Sequence, residues 1–292
     1  MMYGMKGIIM GAGKASRLFP ISLSVTKHLL PIYDKPMIYY PLSTLMVSGI
    51  RNILIIGDYE SIPLYKKLLG DGSQIGIKIS YVSQPEPKGI ADAFVLGEEF
   101  IGQDYCALVL GDNLFHGVTM GSNLANYVNL DGATIFAYKV SDPENYGVVE
   151  FEDYNNEVVA LSIEEKPKIP KSNYAIPGLY FYDNQVINFA KSLKPSMRGE
   201  LEISDINKLY LNKNQLRVQL LPRGTAWLDT GTPSSLFDAA SYIKVIQDRQ
   251  GSKISCIEEI AFRNSWIDKS QLNKLADGYK NEYGNYLREL SI

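Results

Sequence analysis

The residues best placed to do chemistry are cations beside a loop of small residues. An apolar run, Gly7-Ile8-Ile9-Met10, leads into Gly11-Ala12-Gly13-Lys14-Ala15-Ser16 and at once to Arg17, and Lys27 follows ten residues later. Backbone N–H groups in such a turn can approach an anion closely, because no bulky side chain intervenes. Arg17 contributes a planar fork and Lys27 a point charge, a set suited to a polyphosphate. Two familiar phosphate motifs do not fit. Ser16 stands where the third glycine of G-x-G-x-x-G is needed, and the nearest acid, Asp34, lies in the turn Tyr33-Asp34-Lys35-Pro36. A P-loop would need glycine at Ile8 and a hydroxyl at Ala15. An ordinary strand-to-helix turn is the plain alternative.

Further polar residues follow other apolar runs. Asp112, after Ala107-Leu108-Val109-Leu110 and inside Gly111-Asp112-Asn113, should sit at the carboxyl end of a strand. There it could be a hard ligand for Mg²⁺ or the start of an Asx turn. Asp229, in Trp227-Leu228-Asp229-Thr230-Gly231, is a second candidate ligand or the N-cap of a helix from Pro233. Gln84 carries the amide that reads the edge of a base, although Gln84-Pro85-Glu86-Pro87-Lys88-Gly89 also reads as a Pro-rich connector. Glu164-Glu165-Lys166 has the look of a solvated charge run.

The elements that position these residues alternate. Strands are expected at Ile53–Ile56, Ile77–Val82 and Ala107–Leu110, with helices at Met37–Ser48, Ser61–Leu69 and Ile90–Phe100. Gly49 suits the position just after the first helix. This rhythm implies an α/β fold with a largely parallel sheet covered on both faces, its ligands outside the carboxyl ends of the strands. Further strands are expected at Thr134–Val140, Asn145–Phe151, Val158–Ile163, Tyr174–Tyr182 and Leu216–Leu220, extending the sheet into a lobe. Gly199–Ile206 should begin a helix, with Ser204 and Asp205 helping to cap it, and Ser234–Arg249 and Ile257–Leu290 read as helices. No linker or repeat divides the 292 residues, which are expected to form a single domain.

Composition narrows the class. Hydrophobic residues make up 46 % and charged residues 21 %, as in an ordinary globular protein. A net charge of −3 recommends neither nucleic acid nor an anionic membrane as partner. No apolar run approaches the roughly 18 residues of a membrane span, and Met1–Lys6 lacks a signal-peptide layout. Cys106 and Cys256 read as buried thiols, and a cytoplasmic protein is expected. With His28 and His116 far apart, a metal should be held by oxygen.

Gly11-Ala12-Gly13-Lys14-Ala15-Ser16-Arg17-Leu18, Pro20, and Lys27-His28-Leu29-Leu30-Pro31 together resemble the signature of the sugar-1-phosphate nucleotidylyltransferases. Tyr33-Asp34-Lys35-Pro36-Met37-Ile38-Tyr39-Tyr40-Pro41-Leu42-Ser43 is similar to the glucose-1-phosphate thymidylyltransferases within them, and the likeness extends to about Leu287. The resemblance implies a Rossmann-like three-layer fold with a mostly parallel mixed central sheet, a sugar-binding β lobe and C-terminal helices. Residues 5–115 would form the nucleotide-binding half, 130–232 the sugar-phosphate half and 233–292 the helical end. It implies dTTP and glucose 1-phosphate as substrates and Mg²⁺ on Asp112 and Asp229. Gly11, Ala12, Gly13, Ser16, Arg17, Gln84 and Gly89 would bind nucleotide, and Asn113, Tyr146, Gly147, Glu165, Lys166 and Ile176 the sugar phosphate. Arg17, Lys27 and Lys166 would be catalytic. A homotetramer is implied, with Glu258, Glu259 and Arg263 in a segment that helps form a feedback site.

The chain departs from the family pattern at Ala15 and Ser16, where glycine and threonine are common, at Lys88, and at Pro177, where threonine is usual. If position 15 needs a positive φ, alanine is strained there by about 1–2 kcal/mol. Uridylyl transfer, another hexose 1-phosphate, and a nucleotide-sugar-binding homologue with an impaired loop stay open as alternatives.

Overall fold

A computed structural model describes residues 4–13, 15–117, 124, 131–154 and 157–292; Lys14 lies outside them. In chain order the elements are β1 (Met5–Gly11), β2 (Pro31–Ile32), β3 (Lys35–Pro36), α1 (Tyr39–Val47), β4 (Asn52–Gly57), α2 (Ser61–Leu69), β5 (Lys78–Ser83), α3 (Asp92–Leu96), α4 (Glu98–Ile101), β6 (Tyr105–Leu110) and β7 (Asn113–His116). Then come β8 (Ala133–Lys139), β9 (Gly147–Tyr154), β10 (Glu157–Glu165), β11 (Tyr174–Ala175), β12 (Leu179–Tyr182), α5 (Gln185–Ser192), α6 (Ile203–Asn212), β13 (Leu216–Leu220), β14 (Ala226–Asp229), α7 (Pro233–Gln250), α8 (Ile257–Arg263), α9 (Lys269–Asp277) and α10 (Glu282–Glu289).

One ten-stranded sheet runs β10-β9-β11-β8-β12-β6-β1-β4-β5, with β13 added on β8. The strands β6, β1, β4 and β5 are parallel, linked by helical crossovers. Their apolar runs are buried on both faces, and alternate residues serve alternate layers. Ile8, Leu54, Ile56 and Leu108 pack with Phe94, Ile206 and Tyr210. Ile9, Ile53, Ile55 and Val109 pack with Leu42, Leu45, Ala261 and Leu272. The pairing turns antiparallel where β12 enters between β6 and β8, and β9, β10 and β11 continue that way. A mixed sheet results, parallel where the loop-bearing strands lie.

Two expected elements are divided, one at a glycine and one around a proline. The helix over 90–100 breaks at Gly97, where a Cβ would stand 2.9 Å from the Ala93 carbonyl oxygen and 3.3 Å from Leu54. The strand over 174–182 is interrupted by Ile176-Pro177-Gly178. Pro177 has no N–H for the ladder, and Ile176 donates its own to the Gly147 carbonyl at 2.7 Å. The short β14 pairs with β7 and sets Asp229 opposite Asn113.

Candidate active site

Because β1, β5 and β6 are parallel, their carboxyl ends bring Gly11, Gln84 and Gly111 to one edge of the sheet. The small-residue loop begins there. Gly13 has φ +126°, a conformation in which a side chain is strained. Ala15 has φ 47° and ψ 39°, the left-handed region, and precedes a 3-10 turn over Ser16–Leu18. Position 15 therefore does demand a positive φ, and the chain accepts alanine in it. The Ala15 carbonyl accepts hydrogen bonds from Leu18 N at 2.9 Å and Ser22 Oγ at 2.9 Å, which fasten the turn.

Asp112 stands at the meeting point of two cavities. On one side is a cavity of about 210 Å³ lined by Ala12, Gly13, Lys27, Gln84 and Gly89. On the other is one of about 220 Å³ lined by Asn113, Tyr146, Gly147, Glu165, Lys166 and Asp229. Asp112 lines both. Its carboxylate pairs with the ammonium of Lys27 and accepts a hydrogen bond from Asn113 Nδ2 at 3.0 Å. Burial opposes ionisation of Asp112, but Lys27 and the hydrogen bonds outweigh it, so its pKa falls. Asp229 goes the other way. Burial and then the negative charge of Asp112 push its carboxyl up to about 6, against the pull of Lys27, Arg17 and Lys166. The backbone joins the two acids: Thr230 donates its N–H at 3.1 Å and its hydroxyl at 2.8 Å to the Asp112 carbonyl. Asp229 is not the cap of α7. Thr232 is, its hydroxyl accepting from Ser235 N at 3.2 Å.

On the first side, Gln84 is 4 % exposed and donates Nε2–H to the buried carboxylate of Asp92 at 2.8 Å. The bond fixes which way the amide faces. At Gly89, φ is +104° and a Cβ would fall 2.5 Å from the Leu201 carbonyl oxygen. The missing side chain thus admits the 201 backbone, which clamps the loop through Leu201 N to the Lys88 carbonyl at 2.7 Å. Lys88 points its ammonium at Glu86 in an exposed pair 3.8 Å apart.

On the second side, Glu165 accepts from Ser204 Oγ at 3.0 Å and lies 3.5 Å from Arg198. Burial, reinforced by Glu202, raises its pKa. Lys166 follows with φ 45°, a strained conformation of the kind that concentrates at functional sites. Arg17 lines this cavity rather than the first, its guanidinium against Gly231, where a Cβ would come within 2.8 Å of Nη2. Neither Arg17 nor Lys166 forms an ion pair among the described residues. Asn113 faces the cavity, but its Oδ1 already accepts from Gly178 N at 3.0 Å and Trp227 Nε1 at 2.6 Å. Its amide therefore orients Asp112. Ile176 and Gly147 form the wall, held by their backbone bond, and Tyr146 packs edge-on to Trp227 at 5.1 Å. Ser16 is exposed at the mouth of the loop.

Ser204, Trp227 and Asp92 also belong to this site; in the sequence Ser204 reads as a helix cap and Asp92 falls within an expected helix. Farther off, Glu259 lines a separate cavity of about 250 Å³ with His116 and Cys256. Glu258 is instead buried, accepting from Tyr283 at 2.6 Å, and Arg263 bonds Glu259 at 2.6 Å.

Residues 6–245 match the model of the nucleotidyl transferase family. The chain is 56 % identical to the glucose-1-phosphate thymidylyltransferase of Neisseria meningitidis, over 98 % of this chain and 99 % of the relative. It belongs to the glucose-1-phosphate thymidylyltransferase family. The Mycobacterium tuberculosis member is 54 % identical over 98 % of this chain and 99 % of its own length. A Bacillus anthracis structure from the same family, in complex with a sucrose, superposes with a TM-score of 0.74 at 40 % identity, covering 82 % of this chain and 94 % of that one. A UDP-glucose pyrophosphorylase at 24 % identity and a TM-score of 0.72 shares the fold.

Proposed function

We propose that the protein transfers a thymidylyl group from dTTP to glucose 1-phosphate, giving dTDP-glucose and pyrophosphate. The observation that carries this reading is the placement of Asp112, shared by a cavity with a base-reading amide and a cavity with a sugar-sized polar wall. An oxygen of the sugar phosphate attacks the α-phosphorus of dTTP from the second cavity while pyrophosphate departs. The nucleophile is already anionic near neutral pH, since the second pKa of a phosphate monoester is about 6, so no general base is needed. Charge neutralisation and alignment do the catalysis.

Each cation has a place in that scheme. Lys27, on the first side, reaches the α-phosphate once it leaves Asp112. Lys166 holds the attacking phosphate, and Arg17, which lines the same cavity, adds positive charge on that side. Glu165, oriented by Ser204, accepts from sugar hydroxyls. Gln84, oriented by Asp92, reads thymine. Asp112 and Asp229 fit Mg²⁺, because two mutually repelling carboxylates are the hard donors it takes together with phosphate oxygens and water. When bound, the ion lowers the repulsion between the phosphates. The family resemblance further supports a cytoplasmic homotetramer as part of this reading.

The test is to follow label from dTTP. Label at the α-phosphorus should appear in dTDP-glucose and label at the γ-phosphorus in pyrophosphate; α-label appearing in free nucleotide alone would contradict the transfer.

A further inference from the structure

Tyr65 and His28 are both buried, 0 % and 1 % exposed, and neither has a part in the scheme above. Tyr65 extends from α2 beneath the loop, and its hydroxyl donates to the Gly11 carbonyl at 2.8 Å. The same oxygen lies 3.0 Å from His28 Nδ1 and 3.4 Å from Thr26 Oγ1. A phenol has one proton, and Gly11 takes it; an Nδ1–H on His28 then donates into the phenol oxygen, with Thr26 Oγ1 3.3 Å from the same nitrogen. The opposite edge of the ring lies against Gly111: a Cβ there would be 2.6 Å from His28 Cδ2 and 2.9 Å from Nε2. The His28 carbonyl accepts from Ile38 N at 2.8 Å, which holds the segment from behind. One buried pair therefore joins Gly11 at the head of the loop, the residue beside Lys27, and the residue before Asp112.

We propose that Tyr65 and His28 are positioning residues that set Lys27 against the reacting phosphate, with His28 held as the Nδ1–H tautomer. The proposal rests on the reading of Lys27 given above. Tyr65→Phe keeps the ring and its packing but removes the oxygen, leaving the Gly11 carbonyl and His28 Nδ1 without that partner. Lys27 then drifts relative to the loop. Misplacement on the scale of an ångström lowers turnover by up to about a hundredfold.

Two measurements test this. In ¹⁵N-histidine-labelled protein, which has two histidines, long-range ¹H–¹⁵N correlation should show His28 protonated at Nδ1; an Nε2–H tautomer overturns the proposal. Kinetically, Tyr65→Phe should lower kcat by about ten- to a hundredfold with KM for glucose 1-phosphate little changed. In a Lys27→Met background the same substitution should cost nothing further, because residues acting as a unit are not additive. Unchanged kcat in Tyr65→Phe, or an equal extra loss without Lys27, overturns the positioning role. A fully active Lys27→Met would instead overturn the role of Lys27, and this proposal with it. Should Tyr65→Phe not fold, His28→Asn, which keeps a donor near the Nδ1 position, should retain more kcat than His28→Leu; equal losses refute the idea.

Discussion

Removing the negative charge of Asp229 should stabilise the metal-free protein while ending its activity. The carboxyl is pushed from 3.8 to about 6 by burial and by Asp112. A shift of about two units is worth roughly 3 kcal/mol at 1.36 kcal/mol per unit. Asp112 shares the field, so a gain of about 1–3 kcal/mol is expected for Asp229→Asn. The sign follows from linkage. A carboxyl whose folded pKa lies above its unfolded value keeps the protein stable below the unfolded value, and that contribution is lost as pH rises through the folded one. The wild type should therefore lose ground to the variant between about pH 4 and pH 6 and lag by a constant amount above that. In a thermal scan with EDTA at pH 7.5, a gain of this size raises the Tm of a 292-residue chain by about 2–5 °C. The gap should shrink towards zero below about pH 4. A variant with a lower Tm at pH 7.5, or a gap independent of pH, would refute the argument that the site stores electrostatic repulsion for a cation to relieve.

The same geometry yields other expectations. Ala15→Gly relieves about 1–2 kcal/mol of left-handed strain against about 0.5–1 kcal/mol of added backbone entropy, so the urea midpoint should stay level or rise slightly, with turnover retained. Lys166→Ala should raise KM for glucose 1-phosphate and lower kcat/KM by about ten- to a hundredfold, the worth of a charge-assisted hydrogen bond; unchanged kinetics would remove Lys166 from the phosphate. Asp92→Asn unlocks the Gln84 amide and should weaken selection of dTTP over UTP several-fold, read as the ratio of the two kcat/KM values, while KM for the sugar phosphate stays put.

Much of this was legible in the residues. The apolar runs of β1, β4 and β6 mark buried parallel strands, and α2 spans Ser61–Leu69 as its pattern predicts. The small-residue loop announces itself, as does an aspartate two residues past the end of β6. What the sequence could not show are contacts made by packing between distant segments. Tyr65 lies 37 residues from His28 and 54 from Gly11, and no periodicity links them. Arg17 faces the second cavity because Gly231 leaves it room, a fact of tertiary structure. Ser204 looks like a capping residue, yet its hydroxyl belongs to Glu165, and Glu202 occupies the N-cap of α6 without capping it through its side chain. Gly97 and Pro177 do carry a local signal, and both divide an element where it would be read as continuous.

The most direct measurement is pyrophosphate release from the purified protein with glucose 1-phosphate and Mg²⁺, supplied with dTTP or UTP in parallel. Release that depends on both substrates and is well faster with dTTP is the predicted result. Faster release with UTP, or none with either nucleotide while both still bind, would contradict the account.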